Sequence, residues 1–245
     1  MLTWFSSKKN IIRTTLLEGM TDVHAHLLPN VDGGSESLMD SIAALERMKE
    51  VGVKRIFLTP HIMAEFPNNT PELLCAKYAI LKECCPPEIE LHLAAEYMLD
   101  DGFEAYMKGM LFTLPGRQVL VETSCLSAHD KFLTILFDLA LDGYTPVIAH
   151  PERYGYMKQE ENVLYSYLKS KGYSFQLNLF SLAGLQGKQV RQVAEHLLRE
   201  GYYDYVGTDF HKLSEYEKGL RTLRLSGEQV RLVRKLLDNN EMLLK

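Results

Sequence analysis

Disulfide-forming potential is what this chain has least of. Its 245 residues include four cysteines, Cys75, Cys84, Cys85 and Cys125, with no CxxC pair among them. That excludes the small disulfide-stapled secreted class and fits a reducing cytoplasm. Long apolar runs are also missing. Nothing approaches the roughly 18 residues a membrane-spanning helix needs, so direct membrane insertion is not expected. The opening MLTWFSSKKNIIRTTLLEG has neither a continuous apolar stretch nor a small-residue cleavage site. It is expected to pack on the domain as an extension over about residues 1–18, not to act as a signal peptide. Basic runs are absent and the net charge is −5, which gives nucleic acid no electrostatic footprint to bind. No low-complexity segment and no internal linker interrupts the chain.

What is present is ordinary globular material. Hydrophobic residues make up 46% and charged residues 24% of the chain, enough apolar substance for a sizeable core. A βα barrel of about 250 residues runs as one unit, so residues 1–245 are expected to form a single domain. The recurring pattern is an apolar β-rich run, a loop and an amphipathic helix. Seven such runs are expected as strands: Met20–His26, Val53–His61, Ile89–Glu96, Gln118–Glu122, Thr145–His150, Tyr173–Asn178 and Tyr205–Asp209. Between them, Leu38, Ile42, Leu45, Met48 and Val51 recur at three- and four-residue steps, as do Phe132, Ile135, Leu136, Leu139 and Ala140, and Val190, Val193, Ala194, Leu197 and Leu198. That spacing places each set on one helical face. Gly52, Gly143, Gly172 and Gly201 each precede strand material and are natural helix stops. One or two helices are expected to close the chain after Asp209. Alternation of strand and helix implies parallel pairing with right-handed crossovers. Unbroken apolar strands imply burial on both faces. The expected fold is α/β, a distorted parallel βα barrel of seven strands, with an open doubly wound sheet as the alternative.

Polar residues that ligate metals fall at the ends of these strands. One reference residue per strand end gives His26, His61, Glu96, Glu122, His150, Asn178 and Asp209, separated by 35, 35, 26, 28, 28 and 31 residues. A strand–helix repeat needs about 30 residues, so each step is one repeat and the side chains converge on one rim. In a barrel that is the carboxyl-terminal rim, where chemistry sits. In HAH, residues i and i+2 of a strand share a face, so His24 and His26 can grip one ion. Asp209 and His211 in DFH repeat that spacing. Imidazole mixed with carboxylate suits zinc, iron or manganese better than calcium or magnesium. About eight donors exceed what one ion uses, so two or three divalent ions are expected, and a multinuclear site can clamp a phosphoryl group and activate water. Singly, these residues have bland readings: an isolated HxH or strand-end glutamate is commonplace. The joint pattern carries the inference. His92, His129 and His196 are assigned structural or solvated roles. Tyr97, Tyr154 and Tyr156 follow donor positions and face either an aromatic substrate or the packed rim.

The segments DVHAHLLP, TPH, AAEY, VLVE, IAHPERY and TDFH, in that order from about Thr21 to His211, resemble the polymerase-and-histidinol-phosphatase (PHP) class. They are most similar to its bacterial tyrosine-phosphatase branch, linked to capsular and exopolysaccharide synthesis. HPER at His150–Arg153 and NLFSLAG at Asn178–Gly184 are the more specific parts. The resemblance implies a distorted seven-stranded barrel with a trinuclear site, manganese foremost and iron or zinc as alternatives. It implies His24, His26, His61, Glu96, Glu122, His150, Asp209 and His211 as ligands and Arg153 as the phosphate-binding arginine. Arg153, Asp209 and His61 are then the residues expected to serve catalysis directly. The implied partner is the phosphorylated tyrosine-rich tail of a bacterial tyrosine kinase. One departure stands out: where the family carries two adjacent aspartates and then glycine, this chain has Asp32, Gly33 and Gly34. Asp32 is the only acid in the loop before Glu36 and is expected to be a ligand, with turn shaping as its alternative role.

The leading expectation is therefore a metal-dependent phosphotyrosine phosphatase. Alternatives are a phosphatase of a small monoester such as histidinol phosphate, an amidohydrolase-type barrel, which tends to use histidine where this chain has Asn178, and a metal-dependent binding module without activity. Thiol chemistry is not expected. Thiol-based tyrosine phosphatases place an arginine six residues after the reactive cysteine, and here those positions hold Leu81, Glu90, Leu91 and Lys131. Replacing all four cysteines by serine should retain most phosphatase activity; a folded, metal-loaded but inactive quadruple variant would contradict this.

Overall fold

A computed structural model describes residues 8–158 and 163–244. Among the described residues lie eleven strands: β1 (Lys9–Asn10), β2 (Thr21–Ala25), β3 (Arg55–Leu58), β4 (His61–Ile62), β5 (Glu90–Leu93), β6 (Glu96–Met98), β7 (Gln118–Glu122), β8 (Thr145–Ala149), β9 (Ser174–Asn178), β10 (Tyr205–Gly207) and β11 (Arg224–Leu225). The α-helices are α1 (Leu38–Glu50), α2 (Pro71–Glu83), α3 (Phe103–Tyr106), α4 (Phe132–Leu141), α5 (Val163–Ser170), α6 (Lys188–Arg199), α7 (Leu213–Thr222) and α8 (Gly227–Met242). The fold is α/β with parallel sheets. One sheet of six strands has the order β10-β9-β8-β7-β6-β4, and one of three has the order β2-β3-β5.

The second and third expected strands each divide in two. The chain leaves β3 through Thr59 and Pro60 and re-pairs as β4; it leaves β5 through Ala94 and Ala95 and re-pairs as β6. Pro60 has no N–H to donate, so a regular ladder cannot pass through it. Instead Thr59 reaches sideways: its N–H donates to Ala25 O, and its Oγ1 accepts from Ala25 N. The lower halves, β3 and β5, therefore form the smaller sheet with β2, and the upper halves join the larger sheet.

β2 and β10 meet without a regular ladder. Two backbone bonds cross between their ends, Asp209 N to His24 O (2.9 Å) and His26 N to Phe210 O (2.7 Å). Side chains do the rest. The buried Asp22 carboxylate accepts from Thr208 N, Thr208 Oγ1 and His24 N. Lower down, Asn240 of α8 donates from Nδ2 to Thr21 O and Val206 O and accepts from Val206 N. Gly207 permits the approach, since a Cβ there would stand 2.6 Å from His24 Cβ.

Helix boundaries follow local chemistry. Ser37 and Thr70 cap α1 and α2, and Ser226 with Gln229 forms a reciprocal capping box on α8. The four expected stop glycines all have positive φ. The described part of the N-terminal extension is packed: β1 pairs antiparallel with β11, and Ile11, Leu16 and Leu17 are buried. Residues 1–7 of that expected extension lie outside the described residues. The main core lies between strands and helices. Two smaller clusters, Val23–Phe57–Ala94–Leu114 and Leu120–Val147–Ala149, both pack against Tyr205.

Asn240→Leu keeps the bulk but leaves one N–H and two carbonyls unpaired in a fully buried place. Urea unfolding should show a loss of about 2–4 kcal/mol, and an unchanged midpoint would mean that Asn240 does not join the two strands.

Candidate metal centre

The parallel strands aim their carboxyl ends at one spot. His24 and His26 share a face of β2, and each is braced from behind. His24 Nδ1 lies 2.9 Å from Gln176 Oε1, whose amide is fixed by donation from Nε2 to Leu177 O. His26 Nδ1 lies 2.9 Å from Asp32 Oδ2. An acceptor behind each ring puts the proton on Nδ1 and turns the Nε2 lone pair inward. The two Nε2 atoms are only 3.1 Å apart. Glu96, fully buried on β6, faces them with Oε2 at 3.1 and 3.3 Å and offers Oε1 to His150 Nε2 at 3.1 Å. Asp209 Oδ1 stands 3.4 and 3.5 Å from the same two Nε2 atoms. His61 Nδ1 lies 3.0 Å from Glu122 Oε1 and 3.3 Å from Glu96 Oε2. His150 (φ 34) and Asp209 (φ 52) are both left-handed. Such conformations cost a non-glycine residue on the order of 1–3 kcal/mol and persist where surrounding structure enforces them.

Two of these donors approach their neighbours without bonding as ordinary polar groups do. His61 Nδ1 and Asp209 Oδ1 are buried yet make no aligned hydrogen bond, despite neighbours within 3.5 Å. Lone pairs aimed at common points are what cations require. Three overlapping groups form: His24–His26–Glu96–Asp209, His61–Glu96–Glu122 and His26–His61–His211. Nitrogen and carboxylate oxygen in this mixture fit divalent transition metals. The electrostatics agree. Burial alone would lower the His24 pKa, but Glu96 and Asp209 outweigh it and push it up to about 9. His26 is also driven well above its usual range, because Asp32 and its other carboxylate neighbours overcome burial. Despite burial, Glu96 is held well below the carboxylate range, chiefly by His24 and His150. His211 is pushed down to about 4 by burial and by His26. The cluster thus draws in positive charge, which protons supply until a metal displaces them.

The expected residues distribute unevenly. His24, His26, His61, Glu96, Glu122, Asp209 and His211 enter the donor groups. His150 stands beside them against Glu96. Asp32 lies behind the donors: it accepts from His26 Nδ1, His61 N (3.0 Å) and Gly34 N (2.9 Å), and so both braces and turns. Arg153 reaches the same pocket with Nη1 donating to Asp209 Oδ2 at 3.0 Å. Cys125 is exposed on the loop after β7. Tyr97 and Tyr154 are buried, their hydroxyls accepting from Phe112 N and Thr123 N, and Tyr156 stacks on Tyr154. The apolar wall of the 370 Å³ pocket comes instead from Met63, Phe66 and Met98. His92, His129 and His196 stand outside the donor groups. Three participants escaped the sequence reading. Gln176 braces His24; Asn178, given no role in the site there, donates to Asp209 Oδ2 at 3.0 Å; and buried Glu152 accepts from Asn178 N and Tyr203 Oη. Gln176 and Asn178 alternate in an otherwise apolar strand, which is the signal that marks them.

Converging imidazoles and carboxylates at the ends of parallel strands, with a guanidinium alongside, define a metal centre of the kind hydrolases carry. Residues 20–240 match the family described as capsular polysaccharide synthesis, CpsB/CapC, and the chain belongs to that family. It is 30% identical over 210 residues to tyrosine-protein phosphatase YwqE of Bacillus subtilis (strain 168), covering 79% of this chain and 78% of that one. It is 27% identical over 204 residues to tyrosine-protein phosphatase CpsB of Streptococcus pneumoniae, covering 79% and 84%. Among solved structures it resembles one described as YwqE from Bacillus subtilis and CpsB from Streptococcus pneumoniae, unique metal-dependent tyrosine phosphatases. The TM-score is 0.75 and the identity 26%, over 92% of this chain and 94% of the other.

Gln176→Leu leaves every donor in place and removes one brace. It should weaken metal retention about 10- to 100-fold, whereas His26→Ala should abolish retention at that position while the protein still unfolds cooperatively. Elemental analysis after dialysis against a graded chelator measures both.

Proposed function

We propose that this chain is a metal-dependent protein-tyrosine phosphatase, acting on the phosphorylated tyrosine-rich tail of a bacterial tyrosine kinase of capsule or exopolysaccharide synthesis. One observation carries the reading: His61, Glu96, Glu122, Asp209 and His211 of the donor groups line the same pocket as Arg153 and a wall of Met63, Phe66 and Met98. That pocket offers cation-binding oxygens and nitrogens, a guanidinium for phosphate and an apolar surface for a ring. The names of the relatives support it. The distorted seven-stranded barrel, as one unit of residues 1–245, belongs to the same proposal. It is supported by the bonds between β2 and β10 and by the shared packing on Tyr205.

His24, His26, His61, Glu96, Glu122, His150, Asp209 and His211 would hold two or three divalent ions, manganese first and iron or zinc next by donor chemistry. Bound ions supply Lewis acidity: they neutralise phosphoryl charge and ready water for attack near neutral pH. The chain's own groups do the rest. Asp209 is held by Arg153 and Asn178 through Oδ2, which leaves Oδ1 facing the donors. Arg153 keeps its other N–H groups for the phosphoryl oxygens, a geometry guanidinium matches as a fork. Met63, Phe66 and Met98 flank the position a phenyl ring would take, and Phe66 stacks on the His61 ring, fixing both. A phenol leaves with a pKa near 10 and needs less protonation than an alkyl alcohol. That favours phosphotyrosine over a small alkyl monoester such as histidinol phosphate. Action in the cytoplasm fits four cysteines that are all free, and no helix among the described residues is long and apolar enough to cross a membrane.

Phosphate release from a phosphotyrosine peptide and from histidinol phosphate should be measured side by side, with and without chelator. The peptide should be turned over faster, and chelator should stop both reactions. Arg153→Lys should lower turnover about a hundredfold, roughly 3 kcal/mol. Full activity after metal removal would sink the reading, and faster histidinol phosphate turnover would shift it to the small-monoester alternative.

A further inference from the structure

We infer that this chain holds two metal ions firmly and a third only weakly, at a position beside His211 where Gly33 supplies no carboxylate. The inference rests on the metal-centre reading above. It follows from counting lone pairs. A neutral imidazole has one lone pair and serves one ion, whereas a carboxylate has two oxygens and can bridge two. The three donor groups share His26, His61 and Glu96. Glu96 can bridge, since its Oε2 faces His24 and His26 of one group as well as His61 of the other, while its Oε1 faces His150. The histidines cannot. His26 has its Nδ1 proton on Asp32, so only Nε2 is free, and that atom faces Glu96 and Asp209. The His61 Nδ1 faces Glu122 and Glu96. Once His24–His26–Glu96–Asp209 and His61–Glu96–Glu122 are complete, the His26–His61–His211 group retains His211 alone. The His211 Nδ1 lies 3.1 Å from Asp209 O and donates there, which leaves Nε2 as the one committed donor.

Charge points the same way. Glu96, Asp209 and Glu122 set three negative charges against two divalent ions. A third ion would add two positive charges beside the first two, and the His26–His61–His211 group brings it no carboxylate; the remaining acid of the pocket, Glu65, is exposed and stands outside the donor groups. Asp32 is the acid in the neighbouring loop, and its oxygens already accept from three N–H groups. The next residue is where a carboxylate would reach. Gly33 lines the pocket together with His61 and His211. A Cβ built on it meets nothing within 4 Å, and its φ is not positive. The neighbouring Gly34 differs: a Cβ there would stand 2.1 Å from His26 O. The loop thus has room for an acid at 33 and none at 34.

The test is equilibrium dialysis of the metal-depleted full chain against increasing Mn²⁺, followed by elemental analysis. Two ions should bind tightly, with the third requiring roughly tenfold or more higher Mn²⁺, since affinity for divalent ions follows ligand charge count. Gly33→Asp should tighten the third ion by about tenfold or more and leave the first two unchanged. Gly33→Asn, of the same size without the charge, should not. Three ions of equal affinity in the unaltered chain overturn the inference, as does a Gly33→Asp protein whose third ion stays weak. If no ion binds tightly to the unaltered chain, the metal-centre reading itself falls, a result distinct from either.

Discussion

The join between β2 and β10 is the constraint on which the centre depends. His24 and His26 stand on one side of it, Asp209 and His211 on the other, and the first donor group needs both sides. A regular ladder would space the strands by about 4.8 Å and pair every residue. Here the ladder is replaced by Asp22, Asn240 and two backbone bonds, with Gly207 allowing close contact. The arrangement frees the strand ends to turn. Asp209 adopts its left-handed conformation immediately after Thr208 is anchored by Asp22, and that turn directs its carboxylate inward.

The centre itself is a concentration of groups that burial alone would disperse. Desolvation disfavours charge in it, yet His24 and Glu96 keep theirs because each stabilises the other. Around them lies a ring of groups that hold orientation: Gln176 behind His24, Asp32 behind His26, Asn178 and Arg153 on the far oxygen of Asp209. Glu152 extends that ring one layer outward by fixing Asn178. The HPER segment therefore contributes differently at each position. His150 faces Glu96, Glu152 is a buried post, and Arg153 opens to the pocket.

Much of this was legible in the sequence. Spacing near one strand–helix repeat brought the donors to one rim, and the glycine stops and the two closing helices followed from local chemistry. The division of the second and third strands was not legible, although Pro60 marks the place: a proline says where a ladder ends, not which neighbour the chain joins next. Asp32 shows a second limit. Its position in the loop was clear, but whether its oxygens face a cation or the N–H groups behind His26 is decided by loop closure around Gly34. The aromatic residues show a third. Tyr97 follows Glu96 directly and strand geometry turns it into the core, and Tyr154 is buried after the 3-10 turn Pro151–Arg153, whereas Phe66 lies five residues past His61 and lines the pocket.

The side-chain joins also carry a message about synthesis. Asn240 bonds Thr21 across 219 positions, and Thr208 bonds Asp22 across 186. Contacts so distant along the chain form late, because a long segment must be ordered before they contribute. On a ribosome His24 and His26 are made long before Thr208 and Asn240, which secure β2 to β10. The donors thus arrive stepwise, one strand end at a time, and the His24–His26–Glu96–Asp209 group is complete only once Asp209 has been made.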